Sequence, residues 1–253
     1  MTLIIYKSIA ALIIFIVSMV IAIYLLKKQR TSKHSESFEL GEALASGIFL
    51  GTAFFHMLPD AISLFDNLYG NLTYPVAEII CVSGFLILLF LERLSLIKSG
   101  FQTQNTIPYL LSIILIIHAV TEGAALGIGN TFSEAMMLFI AIVAHKGSES
   151  FALCITLLKH ELPFKRILLI VIFFSLMTPL GISLGIAINQ FTQAREGMLA
   201  AAIFNAFAAG TFLYISTLHH IHFHQHARDT RGMVEFMSLV AGVSIMALIA
   251  FWA

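Results

Sequence analysis

The sequence predicts an all-α polytopic membrane protein with eight transmembrane helices, and three observations predict it. Of 253 residues, 59% are hydrophobic and 11% charged, with a mean hydropathy of +0.94, far more apolar than an ordinary soluble domain. The apolar residues gather into eight runs, 3–26, 40–64, 75–97, 107–129, 134–158, 164–190, 198–221 and 233–253. Each approximates or exceeds the ~20 residues that a helix needs to cross about 30 Å of hydrocarbon. Finally, 11 of the 14 Lys and Arg fall in or beside the connections after runs 1, 3, 5 and 7. Those connections are therefore expected in the cytoplasm and both termini outside it, and a missed or extra helix would scramble the alternation.

The first run is too long for a signal-peptide core, lacks a small-residue cleavage site and is followed by Lys27-Lys28-Gln29-Arg30, so it is expected to remain as a span. Toward the outer end of the second, His56 and Asp60 stand four residues apart and suit a capture point for a cation at an entrance; a polar interfacial cap is the alternative. The connection to the third run contains the sequon Asn71-Leu72-Thr73 on the expected outer face. Runs 4 and 5 carry the chemistry. The sixth contains Thr178-Pro179-Leu180-Gly181, and the seventh leads into a histidine cluster; the eighth completes the alternation. Cys81 and Cys154 lie within runs and read as small core side chains. No linker divides the chain, which reads as one domain, 1–253, and no basic tract could follow a nucleic-acid backbone.

Two couples stand out inside the apolar runs, His118/Glu122 in the fourth and His145/Glu149 in the fifth. An ionisable side chain at the centre of a membrane helix costs roughly 2.5–3.5 kcal/mol on insertion scales, so its presence there is a functional hypothesis. Residues four apart share one helical face, about 6 Å apart along the axis, so each couple forms a two-ligand stripe. If the stripes face each other, two imidazoles and two carboxylates surround one divalent ion, whose charge cancels that of the carboxylates. Nitrogen and oxygen donors without thiolate suit Zn2+ and also accept Fe2+, Mn2+, Co2+ or Cd2+. Gly123, Gly127, Gly147 and Ser148 beside the stripes permit close helix approach. The alternative is a polar cluster that only holds helices together.

These residues carry a resemblance to the ZIP family of metal-ion transporters. His118-Ala119-Val120-Thr121-Glu122-Gly123 resembles the family's His-x-x-x-Glu-Gly, and His145-Lys146-Gly147-Ser148-Glu149 its His-Lys-x-x-Glu. His56-Met57-Leu58-Pro59-Asp60 is similar to its His-Leu-Leu-Pro-acid element, and Ala208-Ala209-Gly210-Thr211-Phe212-Leu213-Tyr214 also agrees. The resemblance implies a 3+2+3 arrangement in which helices 1–3 and 6–8 form an inverted repeat, and movement of zinc or a similar ion toward the cytosol, with one helix group sliding against another. It is compatible with a homodimer. Some relatives bind two metals with a polar residue after the first His and an acid after the second; Ala119 and Lys146 stand there in this chain, and Thr178 replaces a further ligand. A mononuclear site is therefore expected, with Lys146 as counter-charge to Glu149 or Glu122. Thr121 and Ser148 stand where several relatives have a helix-kinking proline.

Five of the ten histidines, His219, His220, His222, His224 and His226, sit together after run 7, which suits a weak cytosolic metal trap at the exit. Two rival readings belong to other classes. An intramembrane zinc metalloenzyme needs an open coordination position and a general base, and the His-Glu-x-x-His signature is absent. A haem-binding membrane protein uses transmembrane histidines but not glutamates four residues after them. The expectation is an integral membrane transporter of the plasma membrane or a bacterial inner membrane, and not an enzyme.

Overall fold

The computed structural model describes residues 2–29, 36–70, 72–98, 106–160, 162–191, 194–218 and 230–251, all organised around α-helices, with no strand among them. In chain order the helices are α1 (Leu3–Gln29), α2 (Glu36–Thr52, continuing through a π turn at Ala53–Met57 into Leu58–Tyr69) and α3 (Val76–Lys98). They continue with α4 (Thr106–Ile128), α5 (Phe132–Lys159), α6 (Phe164–Phe191), α7 (Ala194–Leu218) and α8 (Thr230–Ala250). Seven of them contain stretches long and apolar enough to cross a membrane: Leu3–Lys28, Glu39–Tyr69, Leu111–Ile128, Phe132–Leu158, Phe164–Ile188, Arg195–Thr217 and Gly232–Ala250. The other, α3, is 23 residues long and bears Glu78 in its first turn and Glu92-Arg93 near its other end. Glu92 bonds to the Tyr214 hydroxyl of α7.

Local chemistry moves several helix ends from their expected positions. Helix 2 does not stop at 64 but runs to Tyr69, where Gly70 at φ +71° ends it. It also starts at Glu36 rather than 40 and is not uniformly α-helical. The Leu58 N–H bonds to the Ala53 carbonyl, one residue further back than in an α-helix, just ahead of Pro59, which has no N–H to offer. Helix 5 begins at Phe132 rather than 134 because Thr131 and Glu134 form a reciprocal capping box. Helix 7 starts at Ala194 instead of 198 and helix 8 at Thr230 instead of 233.

Packing sorts the helices into two bundles. In one, α4 lies along α6, α5 along α1, and α1 along α6; in the other, α2 packs against α7 and α8, and α3 runs along α7. Tight seams within each bundle are lined by glycine. A Cβ at Gly123 would sit 2.3 Å from the Thr178 carbonyl oxygen, and one at Gly210 1.9 Å from that of Cys81. In lipid, where apolar surface drives little helix association, such backbone-close contact is a main source of adhesion. Cys81 and Cys154 are both buried and unpaired in the core, in keeping with the sequence reading.

Candidate metal centre

The two His/Glu stripes sit on α4 and α5 within the first bundle, and the seams of that bundle position them. Gly123 and Gly181 bring the α4 and α6 backbones together, so that Thr178 of α6 donates to Glu122 Oε1 at 3.0 Å. Ser150 of α5 donates to the Ser18 carbonyl of α1 at 2.7 Å, tying the other side of the stripe to its neighbour. Thr121 bonds back to the His118 carbonyl at 2.8 Å, within the turn between the two α4 ligands, while Ser148 is half-buried. At one end of the bundle, the Lys7 ammonium donates to the carbonyls of Gly127 and Gly129 at 2.6 and 2.8 Å, closing the C-terminus of α4.

His118, Glu122, His145 and Glu149 are all buried, and they offer one ligand atom each, all within 4.8 Å of one another. His118 Nε2 is 3.3 Å from Glu122 Oε2 and 3.1 Å from Glu149 Oε1; His145 Nε2 is 3.0 and 3.6 Å from the same oxygens. A tetrahedral zinc ion with bonds of ~2.0–2.1 Å has ligand–ligand edges of about 3.3 Å, in the middle of that range. His118 Nε2 and Glu149 Oε1 make no aligned hydrogen bond despite their approach, so two buried polar atoms stand in the cluster with close neighbours but no well-made bond. A cation there would satisfy both, and the donor set fits one.

Lys146 is fully buried and reaches both carboxylates, with Nζ 2.5 Å from Glu122 Oε1 and 2.7 Å from Glu149 Oε2. It also stands 4.6 Å from the centroid of the Phe174 ring. Each carboxylate is thus divided, one oxygen turned to the ammonium and the other to the imidazoles. Glu122, Glu149 and Lys146 sum to one net negative charge when the imidazoles are neutral.

His56 and Asp60 lie on α2, in the second bundle. Their side chains approach at 3.2 Å, His56 largely enclosed and Asp60 more open. His56 lies within the π turn, close enough to His145, Glu122 and His118 to feel their charge. His219, His220, His222, His224 and His226 lie outside the described residues. Sequence reasoning missed Phe212, which packs on both ligand imidazoles, and the bond from Thr178 to Glu122. The only signals were the place of Phe212 in a matched stretch of helix 7 and the small residues on α4 and α6.

Long apolar helices around a buried two-histidine, two-glutamate cluster define an integral membrane protein with an intramembrane centre able to hold a metal ion. The sequence profile of the ZIP zinc transporter family matches residues 1–100 and 95–250, and the chain belongs to that family. It is 26% identical to zinc transporter ZIP1 of Danio rerio over 87% of each chain. It is 27% identical to human zinc transporter ZIP1, over 87% of this chain and 80% of the relative. With zinc transporter 1 of Oryza sativa subsp. japonica the identity is 27%, over 86% of this chain and 76% of the relative.

Proposed function

We propose that this protein carries divalent metal ions, zinc foremost, across the membrane toward the cytosol through one mononuclear site made by His118, Glu122, His145 and Glu149. The observation that carries this reading is the convergence of four buried donor atoms within 4.8 Å in a chain of the ZIP zinc transporter family. Lys146 serves as counter-charge: without an ion the charged groups sum to −1, and with a divalent ion to +1. Neither state holds a large uncompensated charge in the membrane, so the ion can enter and leave. His56 and Asp60 receive the ion at the outer approach, and the five histidines after α7 receive it at the cytosolic exit. Fe2+, Mn2+, Co2+ and Cd2+ share the ligand preferences and are the competing cargoes.

The same reading places both termini outside the cytoplasm and counts α3 as an eighth span, since its 23 residues extend about 34 Å. Helix pairings support a 3+2+3 inverted repeat, because they come in matched couples. A two-fold exchanging α1 with α6, α2 with α7, α3 with α8 and α4 with α5 turns the α4/α6 pairing into α5/α1 and the α3/α7 pairing into α8/α2. It also exchanges His118/Glu122 with His145/Glu149. An enzymatic reading needs a base left free by the metal, whereas both glutamates here already face the imidazoles.

The test is zinc flux into proteoliposomes containing an impermeant zinc dye, comparing the wild type with Glu149→Ala at matched reconstitution. Flux that disappears with the carboxylate supports transport through this site. Equal flux in both proteins, or none in the wild type, overturns it.

A further inference from the structure

We propose that Phe212 sets which metal this site accepts: its ring, pressed against both ligand imidazoles, limits the ion to four ligands and so favours zinc over ions that require six. The inference rests on the mononuclear site proposed above and deepens it. Phe212 is 0% exposed, its ring centroid 4.5 Å from that of His118 and 6.3 Å from that of His145. The imidazoles are 5.9 Å apart, so one aromatic ring covers both. Phe49, also 0% exposed, backs it with centroids 4.9 Å apart and planes inclined by 60°. Two residues earlier in the chain, Gly210 locks α7 onto the α3 backbone, so Phe212 cannot withdraw without parting that seam.

Metal-bound histidine ordinarily donates its second ring nitrogen to a carboxylate or carbonyl, which fixes the ring. Here the Nδ1 atoms of His118 and His145 are buried with no hydrogen-bonding partner among the described groups, so packing must orient the rings, and Phe212 is the packing partner common to both. Across the site, Lys146 and Thr178 occupy Glu122 Oε1, and Lys146 occupies Glu149 Oε2. Neither carboxylate is free to chelate through both oxygens. Four single-atom ligands remain, between an aromatic wall that offers no donor and an ammonium that repels a cation. Zinc is content with four; Mn2+ prefers about six oxygen or nitrogen ligands and must bring water with it. Replacing the ring by a methyl group opens more than the roughly 30 Å³ that one water takes.

Visible absorption of the Co2+-loaded protein reads coordination number directly, tetrahedral Co2+ absorbing intensely and six-coordinate Co2+ weakly. The wild type is expected to show the intense bands and Phe212→Ala to lose them. In proteoliposomes offered both ions, the zinc-to-manganese flux ratio should fall by about tenfold, the low end of what one pocket contact discriminates. Phe212→Leu stays close to the original volume but removes the flat face, and it carries the test if the alanine variant does not fold. Weak bands in the wild type, or intense bands and an unchanged flux ratio in the folded variant, overturn the proposal. Co2+ binding that survives Glu149→Ala unaltered would instead remove the site assignment and this inference with it.

Discussion

Removing the buried ammonium should tighten zinc binding while weakening the ion-free protein. Lys146→Met keeps an unbranched side chain of similar length but shifts the charge from −1 to −2 without an ion and from +1 to 0 with one. Nζ lies 2.5 and 2.7 Å from the outer oxygens of the two carboxylates. An ion held by their inner oxygens would sit roughly 5 Å from it, where an ammonium and a divalent ion repel by about 7 kcal/mol at an effective dielectric of ~20. Water and neighbouring donors turn to the carboxylate oxygens that Lys146 leaves, and this screening offsets much of the gain. The net expectation is about 1.5–3 kcal/mol, or roughly 10- to 100-fold tighter zinc binding. Two buried carboxylates left without their partner cost about 3–5 kcal/mol of ion-free stability. Competition against a chromophoric chelator in detergent measures the first effect; thermal melts with and without zinc measure the second. Saturated flux should fall because the ion leaves slowly. Zinc affinity that is unchanged or weaker in monodisperse Lys146→Met protein refutes the counter-charge argument.

Two further predictions concern the frame that holds the site. Gly210→Ala drives a Cβ to 1.9 Å from the Cys81 carbonyl oxygen and should destabilise the protein by about 1–3 kcal/mol, whereas Gly197→Ala, whose nearest neighbour would be the Ile128 Cδ1 at 3.9 Å, should be neutral or slightly stabilising; comparative thermal melts decide. Lys7→Met removes two charge-assisted bonds to the end of α4, so a loss of about 1.5–3 kcal/mol is expected, with faster hydrogen exchange across residues 125–131. Unchanged exchange there would show that the α4 terminus is held by other contacts.

Much of this was legible in the chain because a bilayer leaves few choices. Backbone groups in hydrocarbon must bond within their own segment, so an apolar run of sufficient length is read as a helix. Ends were less legible, since they depend on single residues. Thr131 and Glu134 add two residues to the start of helix 5, and Gly70 ends helix 2 five residues beyond the apolar run. The π turn at Ala53–Met57 had a signal in Pro59, but proline also marks kinks and ends and does not announce a π register. The convergence of the two His/Glu couples was legible because four-residue spacing on one helix is local geometry, and shared chemistry pairs one couple with the other. Phe212 was not, because an aromatic residue in a membrane helix is equally at home against lipid, and only the packing of α7 onto α4 and α5 makes it a wall.

If the site transports as proposed, the division of residues between the bundles bears on how it can be both selective and transient. His118, Glu122, His145, Glu149 and Lys146 belong to the bundle of α1, α4, α5 and α6; Phe212, Phe49 and His56 belong to the other. Within each bundle, glycine seams bring backbones so close that sliding along them meets carbonyl oxygens, as at Gly127 against Ile182 and Gly242 against Leu44. At the metal centre, the bundles meet through rings, with His118 and His145 against Phe212, and rings can repack at modest cost. If the bundles shift, the four ligands travel together while the aromatic wall stays behind. The ion then keeps its protein ligands but loses the limit on their number, and arriving water can begin to replace them. On the reading proposed above, selection and release would then belong to two positions of a single aromatic contact, without any change in the ligands themselves.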